Sequence, residues 1–81
     1  MKRYFFNFFD GTQWSYDMVG QNFDSLQEMR KEARHALVQL SENYCLVENE
    51  CTLMFDVLDE EDQSICKIRL SLSEETLIRV D

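Results

Sequence analysis

Seven of the ten aromatic residues, Tyr4, Phe5, Phe6, Phe8, Phe9, Trp14 and Tyr16, lie within the first sixteen positions. A run such as Lys2-Arg3-Tyr4-Phe5-Phe6-Asn7-Phe8-Phe9 suits the pleated, half-buried surface of a strand. Asp10-Gly11 follows as a hairpin signal, and Thr12 to Tyr16 alternates as a return strand. Neighbouring side chains on a strand point to opposite faces. Adjacent rings such as Phe5 and Phe6 therefore cannot be buried by a single layer, and bulky aromatic area must fall on both sides of the sheet.

Two registers of this hairpin are open. A two-residue loop at Asp10-Gly11 sets Trp14 and Tyr16 beside Phe5 and Asn7. A three-residue loop, Phe9-Asp10-Gly11, sets them beside Tyr4, Phe6 and Phe8. The second groups five rings on one face and is the favoured reading for a buried side. Either register leaves bulky aromatic area on the uncovered side; in the favoured one this is Phe5 and Phe9.

Asp17 to Phe23 breaks the alternation, with Gly20 as the natural site of a positive φ. Ser25-Leu26-Gln27-Glu28 then has the form of a capping box, Ser25 capping and Glu28 reaching back. Leu26, Met29, Ala33, Ala36, Leu37 and Leu40 recur at steps of three and four, with Tyr44 continuing the series, so a helix is expected to about Asn43. Val47 to Glu50 reads as a connection. Cys51 to Leu58 and Ser64 to Leu72 read as a closing hairpin around the turn Asp59-Glu60-Glu61-Asp62. A four-residue loop pairs Phe55 with Cys66, Leu53 with Ile68 and Cys51 with Leu70, which brings the two apolar faces together. The expected fold is α+β, β-β-α-β-β: a four-stranded antiparallel sheet with one helix on one face. A single domain over 1–81 is expected, its core at about 3–72, with the tail 73–81 left open between helix and strand.

Charge narrows the function classes. Eight Lys and Arg stand against sixteen Asp and Glu, a formal charge of −8. Nucleic acid and anionic membrane both require clustered cations, so neither is expected as a partner. No apolar run approaches the ~20 residues of a membrane span, and no signal-peptide pattern opens the chain. Cys45, Cys51 and Cys66 are an odd set without a C-x-x-C spacing, which reads as buried free thiols in a reducing cytoplasm.

Arg3-Tyr4-Phe5-Phe6, Asp10-Gly11, Asp17-x-x-Gly20 and a capped helix with Glu32-Ala33 and Ala36-Leu37 resemble the pattern of a family of short bacterial proteins of unknown function. The resemblance covers roughly 3–72 and implies a fold and a compartment; it supplies no activity and no catalytic residues. The chain departs from the pattern in a closing turn without Gly and in a longer tail. A looser similarity, of architecture alone, links it to small antitoxin domains that set a helix after an aromatic-rich sheet.

The polar clusters carry little chemistry. Asp59 to Asp62 lacks the alternating acids, central Gly and distant Glu of a calcium loop and reads as a solvated turn. His35 is the only histidine, without a second ligand or an orienting carboxylate, so neither a metal site nor general-base catalysis is expected. No cofactor is implied, and the chain is expected not to be an enzyme. Arg30, Lys31, Arg34 and His35 form the one basic cluster, read either as a solvated helix face or as a patch for an acidic partner. The aromatic surplus has two readings. Phe5 and Phe9 are a contact surface for a protein partner or a second copy, or the tail with Leu77, Ile78 and Val80 covers them. The candidate interaction surface is thus Phe5, Phe9, Arg30, Lys31, Arg34 and His35. An acidic antitoxin-like regulator that neutralises a basic partner is the alternative.

Overall fold

The computed structural model describes residues 1–45 and 50–73. Most of the connection expected after Val47, and the tail beyond Ser73 with Leu77, Ile78 and Val80, lie outside the described residues.

Five antiparallel strands and one helix make an α+β fold. The strands are β1 (Lys2–Phe9), β2 (Trp14–Ser15), β3 (Gln21–Phe23), β4 (Glu50–Leu58) and β5 (Ser64–Ser73), and the helix α1 is Leu26–Tyr44. They form one sheet in the order β2-β1-β4-β5, with β3 also paired to β1. The expected return strand, Thr12 to Tyr16, is reduced to β2, and β3 adds a fifth strand, beyond the four expected, within the segment expected to break the alternation; both share one edge of β1. β2 pairs with Phe8 and Phe9, and β3 pairs with Lys2, Arg3 and Tyr4.

Between β2 and β3 the ladder is interrupted, and the side chain of Asp17 fills the gap. Its Oδ2 accepts a 3.0 Å bond from the Phe6 amide, and its Oδ1 accepts bonds of 3.0 Å from the Val19 and Gly20 amides. The Asp17 amide donates in turn to Asn7 Oδ1. A carboxylate thus replaces the backbone partner that Phe6 would otherwise lack. Gly20 has φ +77°, and a Cβ there would lie 2.8 Å from Arg3 Cγ and 2.9 Å from Phe5 Cε1. The Arg3 guanidinium finishes the turn by donating to the Val19 carbonyl and Asn22 Oδ1. The pattern Arg3…Asp17-x-x-Gly20 is one structural unit.

The first hairpin corrects the favoured register. Phe9 pairs with Trp14 and Phe8 with Ser15, across a four-residue loop from Asp10 to Gln13. Asp10 Oδ1 accepts from the Thr12 and Gln13 amides at 2.8 Å, which stabilises the longer loop. Trp14 consequently shares the face of Phe9, not that of Phe6 and Phe8.

In the closing hairpin the expected faces meet in a register displaced by two residues. Cys51 faces Leu72, Leu53 faces Leu70, Phe55 faces Ile68 and Val57 faces Cys66. The turn runs through Asp59 to Gln63 with Asp62 at φ 62°, and the register shifts between Val57 and Leu58, leaving Ile65 as an extra residue.

The helix begins where expected, with Ser25 Oγ accepting from the Glu28 amide at 3.1 Å. Only this half of the capping box appears among the hydrogen bonds of the described residues. Met29, Ala33 and Leu37 are buried against Tyr4, Phe23, Leu53, Phe55 and Val57, and these eight side chains are the core. Edge-to-face contacts of Phe6 with Phe23 and Phe55, and of Phe8 with Tyr44, extend it along the sheet.

Cys45 and Cys51 are joined by a disulfide, their Cα atoms 5.5 Å apart. This corrects the reading of three free thiols; Cys66 alone is unpaired. Cys45 caps the C-terminus of α1, and its amide donates to the Ser41 carbonyl. The two residues are distant in local pattern, one ending a helix and one opening a strand, so spacing did not reveal them as partners.

Candidate interaction surface

Alternation assigns each strand residue a side. Tyr4, Phe6 and Phe8 on β1, and Leu53, Phe55 and Val57 on β4, look toward α1. Phe5, Asn7 and Phe9, and their neighbours Leu58, Asp56 and Met54, look the other way. Lys67 and Arg69 on β5 complete that second face through their pairing with Asp56 and Met54.

Among the described residues no element packs over this second face. Its clearest feature is a row across four strands, Trp14, Phe9, Met54 and Arg69 in register. The rings of Phe9 and Trp14 are 5.1 Å apart and tilted by 36°. Trp14 remains 38% exposed, and Tyr16 68%. Beside this row a shallow hollow of about 320 Å³ is walled by Phe5, Tyr16, Met18 and Leu58. Aromatic and thioether side chains on one exposed sheet face are the composition of a contact surface.

The charges of this face are few. From Thr52 onward β4 supplies one carboxylate, Asp56, which accepts from the Ser64 hydroxyl. β5 supplies Lys67 and Arg69, both exposed. Two further carboxylates, Asp62 and Asp17, line the hollow at the rim, and Asp17 is the one held by backbone amides. Partial burial raises its pKa, but the amides of Gly20, Phe6 and Val19 outweigh that, so the carboxyl titrates below the ordinary range. Asp10 is held low by the amides of Gln13 and Thr12.

The six residues singled out from sequence do not form one surface. Phe5 and Phe9 are half-buried on the open sheet face. Arg30, Lys31, Arg34 and His35 are exposed on the outer side of α1, with the sheet lying beneath the helix. A hollow of about 680 Å³ runs over that basic cluster, but only residues of α1 bound it, so it has a floor and no second wall. Sequence reasoning missed Trp14 and Tyr16 as members of the open face, and with them the row that joins Met54 to Phe9. The signal that would have found these two was the capacity of Asp10 to lengthen the loop by bonding Thr12 and Gln13.

No group of three or more metal-binding side chains gathers among the described residues. No described helix is long and apolar enough to cross a membrane. Comparison with curated proteins finds no match, and comparison with solved structures finds none. A family model does match, over residues 3–71. That span takes in the aromatic strand, the Asp17 turn, the helix and nearly all of the closing hairpin. The chain therefore belongs to the family described as a domain of unknown function (DUF6894).

Proposed function

We propose that this protein is a non-enzymatic interaction module that self-associates through the open face of its sheet. The observation that supports this reading is the row Trp14, Phe9, Met54 and Arg69, flanked by Phe5, Tyr16 and Leu58, on the side away from the helix. Burying such side chains yields ~25 cal/mol per Å² of apolar area. Desolvating many charges would oppose it, yet the strand residues of this face from Thr52 onward bring only Asp56, Lys67 and Arg69, with Asp17 and Asp62 at the rim. A second copy presents the same sparse charges, so a two-fold pairing can set Asp56 of one copy near Lys67 or Arg69 of the other.

Light scattering during size exclusion, over the micromolar to millimolar range, tests this. The expected result is a reversible dimer. Trp14→Lys, at an exposed position, is expected to give a monomer with an unchanged circular dichroism spectrum. Trp14 is the only tryptophan, so its emission should shift to the blue as the dimer forms. A wild-type chain that stays monomeric throughout would overturn the reading.

A further inference from the structure

On the helix side of the sheet, where α1 crosses the edge formed by β3, lies a cleft of about 270 Å³. Its floor is aromatic: Phe6 packs against Phe23 at 5.9 Å and 74°, and against Phe55 at 5.7 Å and 70°. Phe23 and Phe55 are buried in the core, so half-buried Phe6 is the ring with accessible area at the cleft. The space exists because α1 presents Ala33 and Ala36 here, where longer side chains would fill it.

Two carboxylates stand at this cleft from different elements. Glu32 projects from the exposed flank of α1, and Asp17 comes from the turn that interrupts the sheet edge. Asp17 Oδ2 accepts a single bond, from the Phe6 amide, so it retains acceptor capacity. The lining contains no Lys, Arg or His.

An aromatic lining combined with carboxylates that no cation of the lining offsets selects the charge of a ligand. A cation gains from the ring quadrupoles and from both acids. An anion is repelled, and a neutral apolar group would strip water from the carboxylates without replacing it. The acids come from two different elements, α1 and the turn at the sheet edge. That arrangement suits a compact ammonium with three donors better than the planar fork of a guanidinium.

We infer that this cleft between α1 and β3 binds an alkylammonium group, carried by a lysine side chain of a partner or by a free amine. Such a site would give the acidic chain a specific hold on a basic protein. It opens on the helix side of the sheet and shares only Asp17 with the hollow beside the self-association face, and the tests at Glu32 and Ala36 leave that face untouched.

The test is an NMR titration of the ¹⁵N-labelled full chain with three probes: Nα-acetyl-lysine methylamide, Nα-acetyl-norleucine methylamide and butylammonium chloride. The lysine derivative is expected to shift the amides of Phe6, Gln21, Ala33 and Ala36 saturably, and to bind about fivefold more tightly than the norleucine derivative. Glu32→Gln, at an exposed helix position, should weaken it roughly threefold without affecting the fold. Ala36→Leu should abolish binding by filling the cleft. Tighter binding of the lysine derivative than of butylammonium supports a peptide-borne group; equal binding supports a free amine. Equal affinity for the lysine and norleucine derivatives, shifts centred on Asp59 to Asp62, or no saturable shift would each overturn the inference.

Discussion

Asp17 shows how one side chain can substitute for a stretch of strand. Three backbone amides converge on its carboxylate, and one of them belongs to Phe6, eleven residues away. Replacing it by asparagine keeps the shape but sets an amide donor against at least one N–H. Asp17→Asn is therefore expected to cost about 1–3 kcal/mol at neutral pH, measured by urea denaturation. The pH dependence has a definite sign. Hydrogen bonding lowers the folded pKa of Asp17 below its ordinary 3.8. Its contribution is then fully present above that value and is lost as pH falls through the depressed pKa. The gap between wild type and Asp17→Asn should narrow as pH falls below about 4. A gap that stays constant to the lowest pH at which the chain folds would count against this account. The sequence showed Asp17-x-x-Gly20 as a turn with a positive φ at Gly20, and that local part was legible. The bond to Phe6, and the contacts that forbid a Cβ at Gly20, depend on β1 passing alongside, which no local pattern encodes.

The elements differ in how far local rules determine them. The helix was legible because a 3.6-residue period and a capping serine specify it without reference to the rest of the chain. The faces of the closing hairpin were legible because the apolar alternation survives a slip of two residues; the register was not, because the turn takes five residues, Asp59 to Gln63, and Ile65 enters as a bulge. β3 was hidden inside a segment whose only strand-like feature is pairing with β1. The disulfide was hidden for a related reason, since it joins the end of one element to the start of another. Its consequence for stability is a matter of loop length. Closing the short loop between Cys45 and Cys51, six residues apart in sequence, restricts the unfolded chain by about 2 kcal/mol in the chain-entropy account. Reduction, or the Cys45→Ser/Cys51→Ser double variant, should lower unfolding stability by about that amount in urea while leaving the sheet spectrum intact. A thiol assay should find one reactive sulfhydryl in the unfolded native chain, that of Cys66, and three after reduction. Three before reduction would refute the bond. The expectation of a cytoplasmic location rested in part on free thiols, and this bond removes that part of its ground.

At the scale of the whole molecule, the net charge of the chain gives the self-association reading a quantitative handle. Two copies each carry a net charge of −8, and at low ionic strength they repel at long range whatever their contact faces contain. The face itself, with Asp56 against Lys67 and Arg69, contributes few ion pairs to be screened. Salt therefore acts chiefly on the repulsion. At 0.01 M the Debye length is about 30 Å, and at 1 M it is about 3 Å, so raising salt removes most of the opposing term. Hydrophobic burial of Trp14, Phe9 and Met54 is not weakened by the same change. The dimer should therefore tighten as salt rises, with the dissociation constant from sedimentation equilibrium falling monotonically between those limits. Binding of a basic protein to the same acidic chain would have the opposite slope, because screening then removes attraction. The direction of one salt titration thus distinguishes an apolar self-contact from charge neutralisation. A dimer that dissociates as salt rises would mean that ion pairs, rather than the row on the open face, hold it together.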